Sequence, residues 1–365
     1  MQRGNPTNVS TTPSPLPRLG RWLPGVFFLL VMVLGMGAAL LSPITWRWPR
    51  EGSFWQGEQA ARYEEAFNNG LPFRDFAIAT WGVLEYLTFH EGRPGVVVGT
   101  DGWLFTDEEM TFHPDAEGET ARKLAFIEKV QDELREQQIA LVIALVPDKS
   151  RVYREFVGRE LPNYTRDRYE AFRQALTDAG IVAPDLLAAF MRAKTGTQLY
   201  LRTDTHWTPA GAEVAAGVLA EAMEGGAVTG LFGSRYQTET VGQEPYRGDL
   251  LAFLPLGTLQ NRLEPQPDTL ELRLTEAESS GSSLFGAQTV PITLVGTSYS
   301  ADERWNFTGA LQEAFGADVL NLASEGRGPL PPMRDYLQSP ELMNTPPSLV
   351  LWELPERYLP MPEAP

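Results

Sequence analysis

Apolar positions divide this chain into an N-terminal run with no polar face and a long body in which helical and strand patterns alternate. No charged residue occurs between Arg21 and Arg47, and 25–41 is apolar on every side. Such a run predicts a membrane-crossing helix over 22–46, with Trp22, Trp46 and Trp48 as its interfacial aromatics. From residue 50 onward, apolar residues recur at helical spacing in 56–70, 73–89, 119–138, 166–179 and 306–315. Pro209 to Met223 is Ala-rich, with Thr208 at the N-cap and Pro209 at the first helical position. Between the helices lie continuous apolar runs at 139–146, 291–295 and 348–352, with shorter pieces at 96–98, 181–182 and 319–321. Runs of this kind, without polar alternation, predict strands buried on both faces. Strands alternating with helices predict a three-layer α/β domain around a mostly parallel sheet. Gly99-Thr-Asp-Gly102 predicts a turn leading into Trp103-Leu-Phe105, and 270–274 is strand-like within the otherwise irregular 225–290.

Composition refines this layout. Residues 1–21 are rich in Pro, Ser, Thr and Asn, which predicts a disordered cytoplasmic tail. Arg3, Arg18 and Arg21 precede the apolar run with no acidic residue among them, so the body, 50–365, is expected on the exported side of an inner-membrane anchor. A cleaved signal peptide is the rival, with Gly37-Ala38-Ala39 as small residues, but the apolar run is long for one. A net charge of −17 leaves no basic footprint for nucleic acid. The absence of cysteine excludes disulfides, thiol nucleophiles and Cys-based zinc sites. No metal or nucleotide motif occurs, so no cofactor is expected.

The candidate chemistry centres on a scarce residue type. Histidine occurs only at 90, 113 and 206. His206 follows Asp204 by two residues in Asp204-Thr-His-Trp207, just ahead of a predicted helix. In a tight loop a carboxylate at that spacing can hold the imidazole tautomer, as a triad requires. The competing reading has Asp204 capping a turn and His206 as a surface residue. Ser298 lies directly after an apolar strand in Val295-Gly-Thr-Ser-Tyr299, where a sharp turn would expose its hydroxyl at the carboxyl edge of the sheet. Its own N–H is a candidate oxyanion donor. Ser300 is the local competitor as nucleophile. The surrounding residues do not form a G-x-S-x-G elbow. Tyr299, Gly248, Asn321 and Arg327, all in polar loops at strand ends, are candidate oxyanion or substrate-binding residues, as is the Pro147-Asp-Lys149 loop. For Arg327 a surface salt bridge is the competing reading.

Six segments in this order carry a resemblance: Gly99-Thr-Asp-Gly-Trp-Leu-Phe105, Val146-Pro-Asp-Lys149, Asp204-Thr-His-Trp207, Gly248-Asp-Leu-Leu251, Gly296-Thr-Ser-Tyr299 and Trp352-Glu-Leu-Pro-Glu-Arg-Tyr358. Together they resemble the alginate O-acetyltransferase group, of the AlgJ and AlgX kind, over about 70–360. The resemblance implies an SGNH-hydrolase-like fold in which Asp-x-His precedes the serine, with Ser298, His206 and Asp204 as the triad and Arg327 assisting the oxyanion. It also implies transfer of an acetyl group to hydroxyls of an exported polysaccharide in the periplasm. The acetyl donor would come from a membrane-bound O-acyltransferase partner. The chain ends soon after Tyr358, so no added carbohydrate-binding domain is expected, as in AlgJ. An acetylesterase with the same triad, a non-catalytic polysaccharide-binding subunit of an export complex and an envelope assembly protein are the alternatives.

Overall fold

The uncharged N-terminal run forms a helix, α1 (Arg18–Leu41), in the computed structural model, which describes residues 18–71, 73–224, 235–278 and 290–363. The expected span over 22–46 is not supported: among the described residues no helix is long and apolar enough to cross a membrane. The helix stops at Leu41, and a separate 3-10 turn takes over at Pro43–Trp46. The tail expected over 1–21 lies outside the described residues as far as residue 17.

The chain divides into two compact units, Met1–Trp81 and Gly82–Pro365. In the first, α2 (Glu58–Gly70) buries none of its residues, and Trp48 stacks on Tyr63 with ring centroids 5.0 Å apart. The division crosses α3 (Arg74–Phe89).

The second unit opens with an antiparallel hairpin, β1 (Val96–Val98) and β2 (Leu104–Thr106). Asp101 and Gly102 both have positive φ, 53° and 78°, as the tight turn between twisted strands requires. There follow α4 (Ala116–Glu136), β3 (Ala140–Val146), α5 (Lys149–Val152), α6 (Arg168–Asp178), α7 (Leu186–Ala193) and α8 (Pro209–Met223). An antiparallel ribbon comes next: β4 (Tyr236–Tyr246), the short α9 (Gln260–Leu263) and β5 (Asp268–Ala277). The chain then runs through β6 (Ile292–Val295), α10 (Ser298–Ala301), α11 (Phe307–Phe315), β7 (Val319–Asn321), α12 (Leu330–Leu337), α13 (Pro340–Asn344) and β8 (Leu349–Pro355).

The expected α/β layers form. Strands β3, β8, β6 and β7 make a parallel sheet in that spatial order, and Val182 adds a parallel bridge to Val142. Alternate strand residues enter two different cores, as a period of two dictates. Val142, Ala144, Ile292, Leu294 and Leu351 pack with α7, α8 and α11. Leu141, Ile143, Val350, Trp352 and Leu354 pack with α4, α6 and α12. Each such aliphatic side chain contributes roughly 1.5–3 kcal/mol by leaving water. Burial on both faces explains the continuous apolar runs of the sequence.

Residues 270–274 lie in β5, as expected. Its partner β4 was not anticipated, because it is mostly exposed and carries Gln237, Glu239, Glu244 and Pro245 rather than apolar alternation. Parts of the irregular 225–290, namely 225–234 and 279–289, lie outside the described residues. The parallel strands all point their carboxyl ends to one edge, so Asn321 ends its strand there and Pro147, Gly296 and Glu356 begin the loops.

Candidate active site

Ser298 opens α10 three residues after the last apolar position of β6, and a buried carboxylate shapes the turn before it. Glu353 of β8 accepts the Thr297 N–H at 2.7 Å, the Thr297 hydroxyl at 3.0 Å and the Ser300 hydroxyl at 3.1 Å. The Thr297 side chain caps α10. Gly296 is required because a Cβ there would overlap the Glu353 carboxylate. Burial raises the Glu353 pKa. Ser300, the competing serine, is buried and spent on Glu353. Ser298 instead points at His206, with Oγ 2.7 Å from Nε2.

The base loop is held as tightly. His206 Nδ1 lies 2.7 Å from Asp204 Oδ1, which also accepts the His206 backbone N–H at 2.9 Å. Asp204 Oδ2 accepts the Tyr246 hydroxyl and the Asp249 N–H, each at 2.9 Å. Burial works against ionisation of Asp204, but the hydrogen bond and charge of His206 and the two backbone donors outweigh it and hold the carboxyl well below its usual range. A carboxylate only accepts, so Nδ1 carries the proton and Nε2 faces the Ser298 hydroxyl with its lone pair. The imidazole is stacked on Trp305 at 5.2 Å and lies 4.8 Å from Tyr299. Trp305 donates to the Ser298 carbonyl at 3.2 Å, and Trp207 donates to the Tyr299 carbonyl at 3.1 Å. The tryptophan of Asp-x-His-Trp thus ties the loop that carries His206 to the helix that Ser298 opens.

Asp249 lies beside this pair, accepting from Thr205 N and Oγ1 at 2.9 and 2.8 Å. Burial, and then the Asp204 charge, raise its pKa. Asp204, His206 and Asp249 are close enough to be weighed as a metal site. Their oxygens and nitrogens are already hydrogen-bonded to protein partners, which suits a proton relay better than a cation.

The remaining sequence candidates occupy different positions. Gly248 donates its N–H to Thr203 Oγ1 at 3.2 Å, and a Cβ on it would overlap the Thr203 carbonyl. Its place is against the base loop, where it brings the Asp249 N–H to Asp204. Gly248→Ala is expected to cost about 1–3 kcal/mol in denaturant unfolding through overpacking and to lower ester turnover; unchanged values in both would contradict this placement. Asn321 donates to the Ser300 carbonyl at 2.7 Å and Thr308 Oγ1 at 2.9 Å, and accepts from Ala323 N–H at 2.9 Å. Tyr299 is buried, with its hydroxyl donating to the Thr205 carbonyl at 2.7 Å. Arg327 is exposed and ion-paired with Asp335 at 2.6 Å, and shares no hydrogen bond with the other candidates.

The Pro147-Asp-Lys149 loop, a candidate from the sequence, has a structural part in the site, and several further contributors were missed. Lys149 is wholly buried, and its ammonium donates to the carbonyls of Leu104, Arg202 and Asp204 at 2.5, 2.9 and 2.8 Å. It also lies 5.3 and 5.2 Å from the ring centres of Trp103 and Phe105. Three of the quoted segments therefore meet on one side chain. Glu356 joins Arg151 at 2.5 Å and Arg168 at 3.2 Å, while Arg357 donates to the Tyr299 hydroxyl at 3.2 Å. A signal for Glu353 did exist: it is a lone charge within a buried apolar strand. Tyr246 left none, because it reaches Asp204 from a ribbon without apolar alternation.

A family model described as SGNH hydrolase-like domain, acetyltransferase AlgX, matches residues 96–356. The chain is 46% identical over 310 residues to the probable alginate O-acetylase AlgJ of Azotobacter vinelandii, spanning 84% of this chain and 80% of that protein. The solved O-acetyltransferase domain of Pseudomonas putida AlgJ is similar with a TM-score of 0.69 and 46% identity, covering 74% of this chain and 94% of that one. Pseudomonas aeruginosa AlgX matches with a TM-score of 0.55 and 28% identity, over 71% of this chain and 62% of that one. A parallel α/β sheet with Asp204, His206 and Ser298 at its carboxyl edge, in a chain this similar to both proteins, places it in the AlgJ and AlgX family of alginate O-acetylases with an SGNH hydrolase-like domain.

Proposed function

We propose that the chain transfers acetyl groups, through an acetyl-serine, to hydroxyls of an exported alginate-like polysaccharide in the periplasm. The observation that carries this reading is the continuous relay from Asp204 through His206 to the Ser298 hydroxyl, with both links at 2.7 Å. His206 Nε2 takes the Ser298 proton as Oγ attacks the acetyl carbonyl, and Asp204 stabilises the imidazolium. The tetrahedral intermediate collapses with its leaving group protonated by His206, leaving acetyl on Oγ. A sugar hydroxyl then attacks this ester, giving up its proton to the same nitrogen, and collapse releases the acetylated sugar and restores Ser298. The Ser298 N–H lies at the first position of a helix, where backbone donors have no intrahelical acceptor, and it serves as an oxyanion donor. The residues of this relay need no cofactor. The acetyl group is supplied by a membrane-bound O-acyltransferase partner, and the names of the AlgJ relatives support alginate as the acceptor class.

Incubating the protein with an activated acetyl ester and polymannuronate tests this. Acetylated polymer, together with an enzyme species heavier by one acetyl group, is the expected result. Ester cleavage at an equal rate with no acetylated polymer would instead assign water as the acceptor and make the protein an esterase.

A further inference from the structure

The protein carries a net charge of −17, and its proposed acceptor is itself a polyanion. Long-range electrostatics oppose that encounter, so productive binding calls for a cation at the mouth of the site. Lys149 and Arg357 are close to the triad in the hydrogen-bond network but are buried and committed to internal partners. Arg304 differs: its side chain is 51% exposed, and it is linked to the triad through one residue. Its Nη1 donates to the Tyr246 hydroxyl at 3.2 Å, and that hydroxyl donates to Asp204 at 2.9 Å.

The guanidinium is held ready. It lies 5.2 Å from the ring centres of both Tyr246 and Trp305, and Trp305 is the ring stacked on His206. Its Nε and Nη2 face the Asp302 carboxylate, and Nη1 faces Tyr246. A guanidinium has five N–H groups. One on each terminal nitrogen remains without an acceptor among the described residues, and such a pair can grip one carboxylate in bidentate fashion. An exposed Arg–Asp pair is ordinarily a surface feature of little energetic weight. Here the pair fixes an arginine over the aromatic ring that orients the catalytic imidazole, leaving its outer edge open.

We infer that Arg304 forms the carboxylate-binding subsite for the acceptor, gripping a uronate unit of the polysaccharide beside Ser298. This rests on the acetyl-transfer reading above. Arg304 selects acidic polysaccharides over neutral ones and sets the polymer's register at the nucleophile.

The test uses the full chain, an activated acetyl ester and two acceptors: mannuronate oligosaccharides and the same oligosaccharides with their carboxyl groups reduced to alcohols. The readout is the ratio of kcat/KM for the two acceptors, which cancels any effect of a substitution on the triad itself. Arg304→Gln is expected to lower that preference roughly 10-fold, mainly through KM for the uronate acceptor. Arg304→Lys should keep part of the preference, since it retains the charge and loses the fork. A wild-type enzyme that acetylates the uronate acceptor normally, with Arg304→Gln showing the same preference, would overturn the inference alone. A wild-type enzyme that cleaves the ester and acetylates neither acceptor would overturn the transferase reading and the subsite with it.

Discussion

Ser298→Ala is expected to reduce acetyl-ester cleavage and acetyl transfer by roughly 10⁴-fold or more while leaving the fold intact. Among the described residues the serine hydroxyl makes one hydrogen bond, to His206 Nε2, so its removal costs little stability. It removes the atom that carries the acetyl group in the proposed acetyl-serine. His206→Ala is expected to fall to a similar level, and the double variant no lower, because nucleophile and base act as one unit. Asp204→Asn keeps the shape of the loop but presents a donor where Nδ1–H needs an acceptor, so a loss of about 10⁴-fold is expected there too. Burst kinetics with an activated ester, and the mass of the trapped enzyme, report on these variants. Ser298→Ala retaining a tenth or more of wild-type turnover would remove the serine from the mechanism.

Lys149→Met should produce the largest loss of stability, about 3–5 kcal/mol. The substitution keeps the bulk of the side chain but leaves the carbonyls of Leu104 and Asp204 buried without this donor, while the Arg202 carbonyl keeps the Leu104 N–H. The Asp204 carbonyl belongs to the base loop, so ester turnover should fall with the melting temperature. The sign of the pH dependence is also defined. Burial lowers the Lys149 pKa from 10.5 to about 8. Below pH 8 the lysine is protonated in both states and the penalty for the buried charge is fully present. Between about 8 and 10.5 the unfolded chain binds more protons, so stability from this group rises with pH. The gap between wild type and Lys149→Met in denaturant unfolding should therefore widen from pH 8 towards 10. A gap that narrows over that range would mean the ammonium is stabilised rather than strained by its cage.

The parts of this molecule that could be read from the chain are those set by near neighbours. Burial on both faces demands continuous apolar runs, so β3, β6 and β8 were visible at 139–146, 291–295 and 348–352. The Asp-Gly turn at 101–102 was visible because its positive φ values favour those residues. Asp204 and His206 are two residues apart, and Ser298 closely follows a strand, so each could be proposed from its own surroundings. Apolarity near the N-terminus also predicted a helix, and one forms; how far it continues depends on the break after Leu41, which the count of apolar residues did not weigh.

Only the tertiary structure decided which distant groups meet. Tyr246 and Asp249 reach Asp204 from 42 and 45 residues away, and Glu353 reaches Thr297 from 56. The last contact exists because β6 and β8 are parallel neighbours in the sheet. Gly248 and Arg327 looked alike in sequence, as polar loop residues near strand ends, yet one packs on the base loop and the other pairs with Asp335 at the surface. Periodicity and turn chemistry act over a few residues and are written into the local sequence. A hydrogen bond of 2.7 Å between segments nearly a hundred residues apart depends on how two layers of helices pack against one sheet, and no local pattern encodes it.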